Sequence, residues 1–537
     1  MRTIAAIIFP FAAGAACGLL PIERKRKIAL SLIAAVIADV LGALAAFSGE
    51  EVRLISFAPG AELFFKIDGI GRVFLFAVLA LYTCVAFYAA AYLEEDKDAG
   101  SFFAFYLCSL GAMVAVASAG NLITVYLSFE FATLTSMPMV LHERTKAAVA
   151  AARKYLFYSI GGALLGLVGV FFIYHFAGSS RDFAAGGILD PSLYSGNESL
   201  LLTAIFLAIV GFGTKAGMYP MHGWLPTAHP IAPAPASALL SGIIAKAGVI
   251  ALVRLIFYSA GAEFIRGTWV QTAWMALAVV TIFMGSMMAF VEKDLKKRLA
   301  YSTVSQLSYI LFGMSLLSLD GLKGAMLHFL AHFSAKGCLF LAAGTVILVF
   351  GIHEARGLKG LGAKLPVTFA CFTLASLSLI GIPPFGGFVS KWHLALGGLA
   401  AEQKVLGIIG VAALMVSALL TAGYLLPVVI DAFFPEKETE KKSSGKRGAK
   451  AAAAAAGSGS ESRQVKAKAA AAAANASDVA SAEAQAGSAG LASRFPLRRR
   501  LLLAVPLVVL SAVTLLVGVF GGSIASYLAG VFSGVIA

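Results

Sequence analysis

The sequence predicts an all-α polytopic membrane protein of about fourteen transmembrane helices. Of the 537 residues, 59% are hydrophobic and only 13% are charged, whereas a soluble domain carries about 25% charged residues. A spanning helix needs about 20 predominantly apolar residues. Apolar runs of roughly that length occur at 3–20, 28–47, 72–93, 101–117, 120–140, 154–177, 200–218, 235–257, 270–291, 300–318, 323–351, 367–395, 405–432 and 498–530.

The connections between these runs predict the topology, because Lys and Arg collect in cytoplasmic loops. With the N-terminus outside, the cytoplasmic connections are cationic at 23–27, 142–146, 292–298, 353–364 and 433–500. The acidic turn EEDKD at 94–98 opposes this trend. Arg2 before the first run also fits a signal peptide, but the ERKRK that follows is typical of a retained helix. We therefore expect a multi-pass protein of the cell's inner (plasma) membrane with both termini outside.

Two of the runs are interrupted by Pro and Gly in a way that continuous spans do not tolerate. They are GFGTKAGMYPMHGWLPTAHPIAPAP at 211–235 and IGIPPFGGFVSKW at 380–392, in the seventh and twelfth helices. Broken helices in corresponding positions of two halves are typical of inverted-repeat transporters with ion sites at the breaks. The expected units are helices 1–3 in 1–98, two inverted repeats of five helices in 99–258 and 259–432, a linker in 433–497 and helix 14 in 498–537.

The linker holds much of the chain's positive charge. Between 436 and 500 there are 13 Lys or Arg and 6 Asp or Glu, a net +7 that is half of the formal +14 of the chain. Its core is Ala/Gly/Ser/Lys low complexity, which we interpret as a flexible or partly helical cytoplasmic tether whose cations can rest on anionic lipid. Aromatic residues are almost absent from it, so we do not expect nucleic-acid binding.

Redox chemistry within this chain is not expected. The sequence has no dinucleotide glycine fingerprint on a βαβ unit and no cysteine cluster for iron–sulfur ligation. The five cysteines fall within predicted spans without paired spacing, which is typical of packing residues; they are Cys17, Cys84, Cys108, Cys338 and Cys371. We therefore expect no cofactor in this chain, and any electron transfer belongs to partner subunits of an ion-translocating oxidoreductase.

Ionisable residues inside the predicted spans are the main functional signal. They are Glu130, Lys215, Lys246, His328, His332, Lys336 and Lys391. A lysine at the centre of a spanning helix costs roughly 2.5 to 3.5 kcal/mol on insertion scales, so it persists where it is paired, hydrated or used. Each residue alone could snorkel or satisfy a neighbour, but seven together indicate a function. His328 and His332 share one helix face with Lys336, and that nearby lysine disfavours a metal site.

Four segments carry a resemblance to a known family. TKAGMYPMHGWLPTAHPIAPAPASALLSGIIAKAGV, DLKKRLAYSTVSQLSY, LHFLAHFSAKGCLF and GIPPFGGFVSK resemble, in this order, the antiporter-like subunits of respiratory complex I, Mrp-type sodium/proton antiporters and membrane-bound group 4 hydrogenases. The segment around Ser241 is closer to the D-type subunits of Mrp antiporters and to the hydrogenase branch. Two departures are Phe129, where many relatives have Trp, and the Ala-rich linker. Neither touches the ionisable residues.

The resemblance implies a proton path through the membrane. The matching positions, in chain order, are Glu130, Lys215, His222, His229, Lys246, His328, His332, Lys336 and Lys391. It implies that Glu130 of the fifth helix pairs with Lys215 of the broken seventh helix. Lys246 then forms the middle of the path, and Lys391 exchanges protons at the exit.

The expected function is proton translocation by a membrane subunit of a multi-subunit complex. A nearby carboxylate favours the charged form of a desolvated lysine, so opening the Glu130–Lys215 pair would free a proton. Histidines, whose ordinary pKa lies near neutrality, could relay it. The host complex, its other antiporter-like and small membrane subunits, and the transport of Na⁺ stay open. The alternatives are a stand-alone secondary transporter of an ion or small solute and a non-conducting structural subunit.

Overall fold

The computed structural model describes residues 1–58, 60–434 and 494–536, and most of them are helical. The first helices are α1 Arg2–Leu19, α2 Arg24–Ala46, α3 Gly69–Tyr92, α4 Ala99–Ser118, α5 Leu122–Val140 and α6 Lys146–His175. Those of the middle are α7a Glu198–Lys215, α7b Leu225–Ile231, α8 Ala234–Ala260, α9 Trp269–Val291 and α10 Leu295–Ser315. The last are α11 Leu319–Phe350, α12a Pro366–Ile380, α12b Gly386–Leu399, α13 Lys404–Phe433, α14 Leu497–Val519 and α15 Gly521–Val531.

The all-α membrane architecture predicted from the sequence is confirmed. Within the described part of the chain, twelve helices are long and apolar enough to cross a membrane. The other two predicted spans correspond to α10, which begins with the charged sequence LKKR, and to the α12a–α12b pair, whose first member has only 15 residues. Most of the linker predicted over 433–497 lies outside the described residues, from 435 to 493.

The structure contains a β-hairpin that the sequence reasoning did not predict. Strands β1 Glu51–Ala58 and β2 Ala61–Lys66 pair antiparallel between α2 and α3. The hairpin is fixed to the start of α5, since Phe64 N–H donates to Thr124 Oγ1 at 2.9 Å and Asn121 Nδ2 donates to the Glu62 carbonyl at 2.9 Å. Both strands are too short for the 20-residue hydropathy criterion that located the helices.

Connections that the sequence assigned to one side of the membrane meet at one end of the bundle. Leu295 N–H donates to the His353 carbonyl at 2.8 Å, and Ala355 N–H donates to the Lys293 carbonyl at 3.0 Å. These bonds join the loop before α10 to the loop after α11. The side of the membrane that this end faces stays a prediction.

The acidic turn at 94–98 is neutralised by cations from distant segments. Arg499, near the start of α14, contacts the Glu95 carboxylate at 2.5 Å, and Arg144, in the loop after α5, contacts Asp98 at 3.1 Å. The acidic residues thus bind two cationic segments at the same end of the bundle. This pairing is a structural reason for the one turn that opposes the charge trend.

The most buried helices carry most of the ionisable residues. Every residue of α8 is buried, and the 32-residue α11 is buried over most of its length. α6 and α7a touch through their backbones: a Cβ on Gly211 would lie 2.5 Å from the Gly166 nitrogen. This close approach fixes the end of α7a, where Lys215 lies, against α6.

Candidate functional site

The first residue of the candidate site with a buried charge is Lys215, the last residue of α7a. Gly217, with φ +75°, allows the chain to turn away after it. The ammonium is fully buried and donates to the hydroxyls of Thr133 at 2.8 Å, Tyr155 at 2.6 Å and Ser159 at 3.4 Å. An ammonium has three donors, so these three hydroxyls from α5 and α6 match its capacity.

The direct Glu130–Lys215 pair that the resemblance implies is not formed in this structure. Among the described residues, no ion pair within 4.0 Å joins the two side chains. Glu130 is half-buried on α5, beside Phe129, whose ring lies 5.5 Å from the Lys215 ammonium. The hydroxyls around Lys215 occupy the place of the expected carboxylate, and the pair is open.

Lys246 lies at an irregularity that interrupts α8. A 3₁₀ turn at Ile244–Lys246 separates two α-helical stretches, where the apolar run at 235–257 predicts a continuous helix. The buried ammonium donates to the main-chain carbonyl of Ser241 at 2.5 Å. Mid-helix 3₁₀ turns often mark functional or strained positions.

Three ionisable residues follow one another along α11, as their spacing predicts. His328 Nδ1 shares a hydrogen bond of 2.9 Å with Ser390 Oγ of α12b, and its ring centroid lies 6.0 Å from that of His332. The Lys336 ammonium donates to the Leu299 carbonyl at 3.0 Å. All three side chains are fully buried. Nε2 of His328 and both ring nitrogens of His332 lack hydrogen-bond partners.

Lys391 lies on α12b and reaches back across the break to α12a. Its ammonium donates to the carbonyls of Leu379 at 2.6 Å and Ile380 at 2.7 Å. These are the last two residues of α12a, which ends at Gly381 in a left-handed conformation. The last carbonyls of a helix lack internal partners and carry the negative end of its dipole, so the break itself binds the lysine.

The two histidines of the α7 break have different surroundings. His229 is buried on α7b and stacks on Phe340 at 4.8 Å between ring centroids, and neither of its ring nitrogens has a partner. His222 is half-buried in the connection before α7b and stacks on Tyr219 at 5.9 Å. His222 therefore lies at the edge of the site and His229 inside it.

Lys246 and Lys336 bind residues of α8 and α10 that also contact each other, although their hydrogen bonds do not form one continuous chain. The Leu299 carbonyl accepts from Lys336 and also from Thr303 Oγ1 at 2.9 Å. Thr303 Oγ1 shares a bond of 2.7 Å with Ser241 Oγ, and the Ser241 carbonyl accepts from Lys246. The sequence reasoning did not identify this role of Thr303, because a Thr and a carbonyl in a spanning helix carry no charge signal.

Tyr309 of α10 lies close to both His328 and Lys391. Its ring lies 5.1 Å from the His328 ring and 5.4 Å from the Lys391 ammonium. His328 also binds Ser390, the residue before Lys391. The structure thus brings His328 and Lys391 together, although 62 residues separate His328 from Ser390.

The sequence analysis does not predict three further ionisable positions, of which two are buried and one is half-buried. Lys296 of α10 is buried, and its ammonium binds the carbonyls of Pro230, at 3.2 Å, and Ala232 at the end of α7b. Its motif DLKKR was interpreted as loop charge. Asp39 lies within a predicted span and accepts from the Thr83 hydroxyl. Its presence in an apolar run was the signal that could have found it.

The third such position is Arg254, which forms a bidentate ion pair with Asp68. Nη1 binds Oδ2 and Nη2 binds Oδ1, both at 2.6 Å. Asp68 also caps α3 by accepting from Gly71 N–H at 2.9 Å. Burial alone would raise the pKa of Asp68, but the Arg254 charge and hydrogen bonds outweigh it and lower that pKa.

Within the described ranges, no group of three or more His, Cys, Asp or Glu side chains is arranged to hold a metal ion. His328 and His332, the pair considered from the sequence, are accompanied by Ser390 and Tyr309 rather than by a carboxylate or thiol. The chemistry of the site is therefore that of buried amines and imidazoles on hydroxyl and carbonyl oxygens.

The sequence also matches a known protein family. Residues 119–417, more than half of the chain, match the family described as NADH:quinone oxidoreductase/Mrp antiporter, TM. The chain belongs to this family. It is a multi-pass membrane protein and an ion-translocating subunit of the complex I/Mrp type, and the resemblance stated from four motifs is confirmed. The roles of the individual site residues stay predictions.

Relatives from three kinds of complex share the sequence. NADH-quinone oxidoreductase subunit N of Desulforudis audaxviator is 34% identical, over 70% of this chain and 73% of the relative. Hydrogenase-4 component B of Escherichia coli is 31% identical, over 73% and 60%. A Na(+)/H(+) antiporter subunit of Alkalihalophilus pseudofirmus is 32% identical, over 68% and 47%. The chain thus spans three fifths of the second relative and about half of the third.

Solved structures share the fold across the whole chain. A chain of the Mrp complex from Dietzia sp. DQ12-45-1b matches with a TM-score of 0.75 and 22% identity, over 99% of this chain and 97% of that one. A chain of respiratory complex I from Thermus thermophilus matches with a TM-score of 0.73 and 22% identity, over 100% of both chains. These structural relatives are subunits of multi-subunit membrane complexes.

Proposed function

We propose that this chain translocates protons within a multi-subunit membrane complex. The protons pass from Glu130 and Lys215 through Lys246 and the His328/His332 face to Lys391. One observation carries the proposal: four buried lysines, Lys215, Lys246, Lys336 and Lys391, bind hydroxyl or carbonyl oxygens, and within the described chain none of them has a carboxylate within 4.0 Å.

A purely structural role does not account for this pattern. Buried charges in proteins are normally paired, because an uncompensated charge costs several kcal/mol. Arg254 follows that rule with Asp68, whereas the four lysines do not, and neither does the buried Lys296 on the carbonyls of Pro230 and Ala232. An amine on neutral oxygens can gain or lose its proton without leaving a carboxylate unpaired, which is what a relay requires.

The unpartnered histidine nitrogens support the same function. Both ring nitrogens of His229 and His332, and one of His328, have no hydrogen-bond partner in the structure. Buried polar atoms of this kind are normally satisfied by protein or by ordered water. Water beside these rings would bridge Lys246, Lys336 and Lys391 with the imidazoles as intermediate proton carriers, because the direct contacts through Ser241 and Leu299 end on carbonyl oxygens that only accept.

The open Glu130–Lys215 pair is the control point of the mechanism. The two side chains lie on α5 and α7a without an ion pair within 4.0 Å, and a movement of α5 against α7a that brings them within that distance would close the pair. Closing it stabilises the charge on Lys215, and opening it releases the proton toward Lys246. Titrations of such groups are coupled, so an event in a neighbouring subunit that moves α5 would drive the proton.

The relatives suggest three candidate kinds of host complex, because their names cover a quinone oxidoreductase, a hydrogenase and a sodium/proton antiporter. Purification of the chain from its native membrane identifies the host. Iron–sulfur or nickel–iron subunits would indicate a redox-driven pump. Several small membrane subunits alone would indicate an Mrp-type antiporter, in which Na⁺ moves against the protons. Recovery of the chain by itself would favour a stand-alone transporter instead.

Substitution of Lys246 tests the relay directly. Lys246→Met keeps the length of the side chain and removes the proton site, so we expect normal assembly with loss of most ion-coupled proton uptake in membrane vesicles. Lys246→Arg should fail as well, because a guanidinium does not release its proton near neutral pH. The matched control is Lys293→Met, which removes an exposed lysine. Proton uptake near wild type in either Lys246 variant, at equal incorporation, would contradict the proposal.

A further inference from the structure

A groove between α1 and α4 lies outside the proton path. Its cavity has a volume of about 620 Å³ and opens at the end of the bundle where α2 begins. The apolar part of its wall includes Gly18, Leu19 and Phe105. The other part is cationic, with Arg24, Lys27 and Lys97. The groove is therefore amphipathic, with an apolar channel along the helices and positive charge at one end.

The cations at this end have no anion in the described chain. Neither Lys27 nor Lys97 forms a side-chain hydrogen bond or ion pair with another described residue. The one carboxylate in the wall, Asp98, is bound by Arg144 at 3.1 Å. The Lys27 stem lies over Gly100, where a Cβ would come within 2.7 Å of Lys27 Cδ. The stem of Lys27 thus packs against α4, and its ammonium has no anionic partner among the described residues.

A second groove reaches the same lysine from the other side of α1. It lies between α1 and α2, has a volume of about 340 Å³ and is almost entirely apolar. Ile22 and Lys27 line both grooves. Two apolar channels flanking one helix therefore converge on one unpaired ammonium.

We propose that this double groove binds one anionic phospholipid. The phosphate contacts Lys27 with support from Arg24 and Lys97, and the two acyl chains follow the two grooves on either side of α1. Basic pockets at helix ends attract anionic headgroups, and long cationic side chains lay their stems along apolar surface while their charges reach the headgroup level. A transmembrane helix of a partner subunit fits less well, because a helix about 10 Å across cannot enter both grooves. It would also leave Lys27 and Lys97 without an anion, whereas Arg24 already donates to the Glu95 carbonyl at 3.1 Å.

Photo-crosslinking of the full chain in vesicles tests the proposal. Phosphatidylcholine vesicles receive a trace of phosphatidylglycerol with a diazirine on one acyl chain, and adducts are mapped by mass spectrometry of peptides. We expect adducts at 14–22 and 104–108, several-fold above those from diazirine phosphatidylcholine with the same chains. Unlabelled phosphatidylglycerol should compete, and inorganic phosphate should not. Equal labelling by the two lipids would overturn the proposal.

Two double variants distinguish lipid binding in the groove from a general attraction of anionic lipid to basic residues. Lys27→Gln with Lys97→Gln should reduce phosphatidylglycerol adducts to the phosphatidylcholine level, whereas Lys25→Gln with Arg26→Gln removes two charges from the same basic segment outside both grooves and should have little effect. Equal losses in the two double variants would show a diffuse polybasic attraction and overturn the proposal.

The apolar channel has its own test. A Cβ on Gly18 meets only Ala104 Cβ, at 3.4 Å, so Gly18→Phe fits the helix and fills the groove. It should remove adducts at 104–108 with the cations intact. The control Gly161→Phe adds the same ring where a Cβ meets nothing within 4 Å. Undiminished adducts in Gly18→Phe would overturn the proposal, as would crosslinking of this face to a protein subunit in native membranes.

Discussion

The buried Asp68–Arg254 pair predicts an asymmetric response to substitution of its two members. The Arg254 side chain is 2% exposed, whereas that of Asp68 is 30% exposed. Asp68→Asn leaves a buried guanidinium without its carboxylate. Arg254→Met leaves a carboxylate that water can reach and that still accepts from Gly71. We therefore expect Asp68→Asn to be the more destabilising change.

The magnitudes follow from this geometry. Removing one partner of a buried ion pair typically costs about 3 to 5 kcal/mol, and Asp68→Asn should fall at the lower end of that range because Asn remains a good helix N-cap. Arg254→Met removes the desolvation cost of the buried charge along with the pair, so we expect a loss of about 1 to 2 kcal/mol, close to the value of ordinary hydrogen bonds. The double variant should resemble Arg254→Met alone.

Reversible unfolding in mixed detergent micelles measures these free energies, with the four proteins forming a double-mutant cycle. The pKa of Asp68 is lowered in the folded protein, so its contribution is present above the unfolded pKa of about 3.9 and is lost as pH falls through the lower folded value. Asp68→Asn should lack this acid-dependent loss. Equal destabilisation by the two single variants, or a larger loss in Arg254→Met, would refute the reasoning.

Two further predictions concern the α7 break. Lys296→Met should destabilise the protein by about 1 to 3 kcal/mol, because it leaves buried carbonyls at the end of α7b unsatisfied, and should slow proton uptake; Lys293→Met should do neither. Gly211→Ala should cost about 1 to 3 kcal/mol by forcing α7a away from α6, while Gly161→Ala, whose Cβ meets nothing within 4 Å, should stay within about 0.5 kcal/mol. Unfolding in mixed micelles measures all four variants, and equal effects within either pair would contradict the packing argument.

Hydropathy located the helices because it detects the segment that crosses the hydrocarbon, but it does not locate helix ends. α6 was predicted from 154 and begins at Lys146, after Thr145, whose hydroxyl accepts from Ala148 N–H at 3.1 Å. α10 was predicted from 300 and begins at Leu295, after the cap Asp294. The first turn of α10 is polar, and the start of α6 is an Ala-rich stretch between Lys146 and Arg153, before the predicted run. The capping residues were therefore the better signal in both helices.

The sequence predicts the charged residues of the candidate site, but it does not predict the atoms that bind them. A lysine in an apolar run is visible in the sequence, since its cost demands a reason. The oxygens that bind these lysines are uncharged hydroxyls and carbonyls. The Leu299 carbonyl that binds Lys336 lies 37 residues away in the chain, and no periodicity indicates such a contact. The closed Glu130–Lys215 pair was inferred from the family resemblance, and this structure has it open.

Position along a span also proved a poor guide to burial. Lys296 and Arg254 lie near the ends of their helices, where snorkelling to the interface is the usual expectation, yet as whole residues they are only 5% and 1% exposed. Glu130, in the interior of α5, is only half-buried. Packing of the neighbouring segments decides the outcome: the end of α7b covers Lys296, and the start of α3 meets Arg254.

The contrast between Arg254 and Lys246 on the same helix connects this packing to function. Arg254 never releases its proton near neutral pH, and it is held by a carboxylate that keeps its charge compensated. Lys246, eight residues earlier, has an amine that can change its protonation state, and it binds a neutral carbonyl at a 3₁₀ turn. A fixed charge therefore anchors one end of α8 while an exchangeable one occupies its middle. An anchor like Arg254 would have used arginine and a carboxylate at this position. An anchor like Lys296 also binds carbonyls, so proton uptake by Lys246→Met at equal incorporation separates that role from a relay.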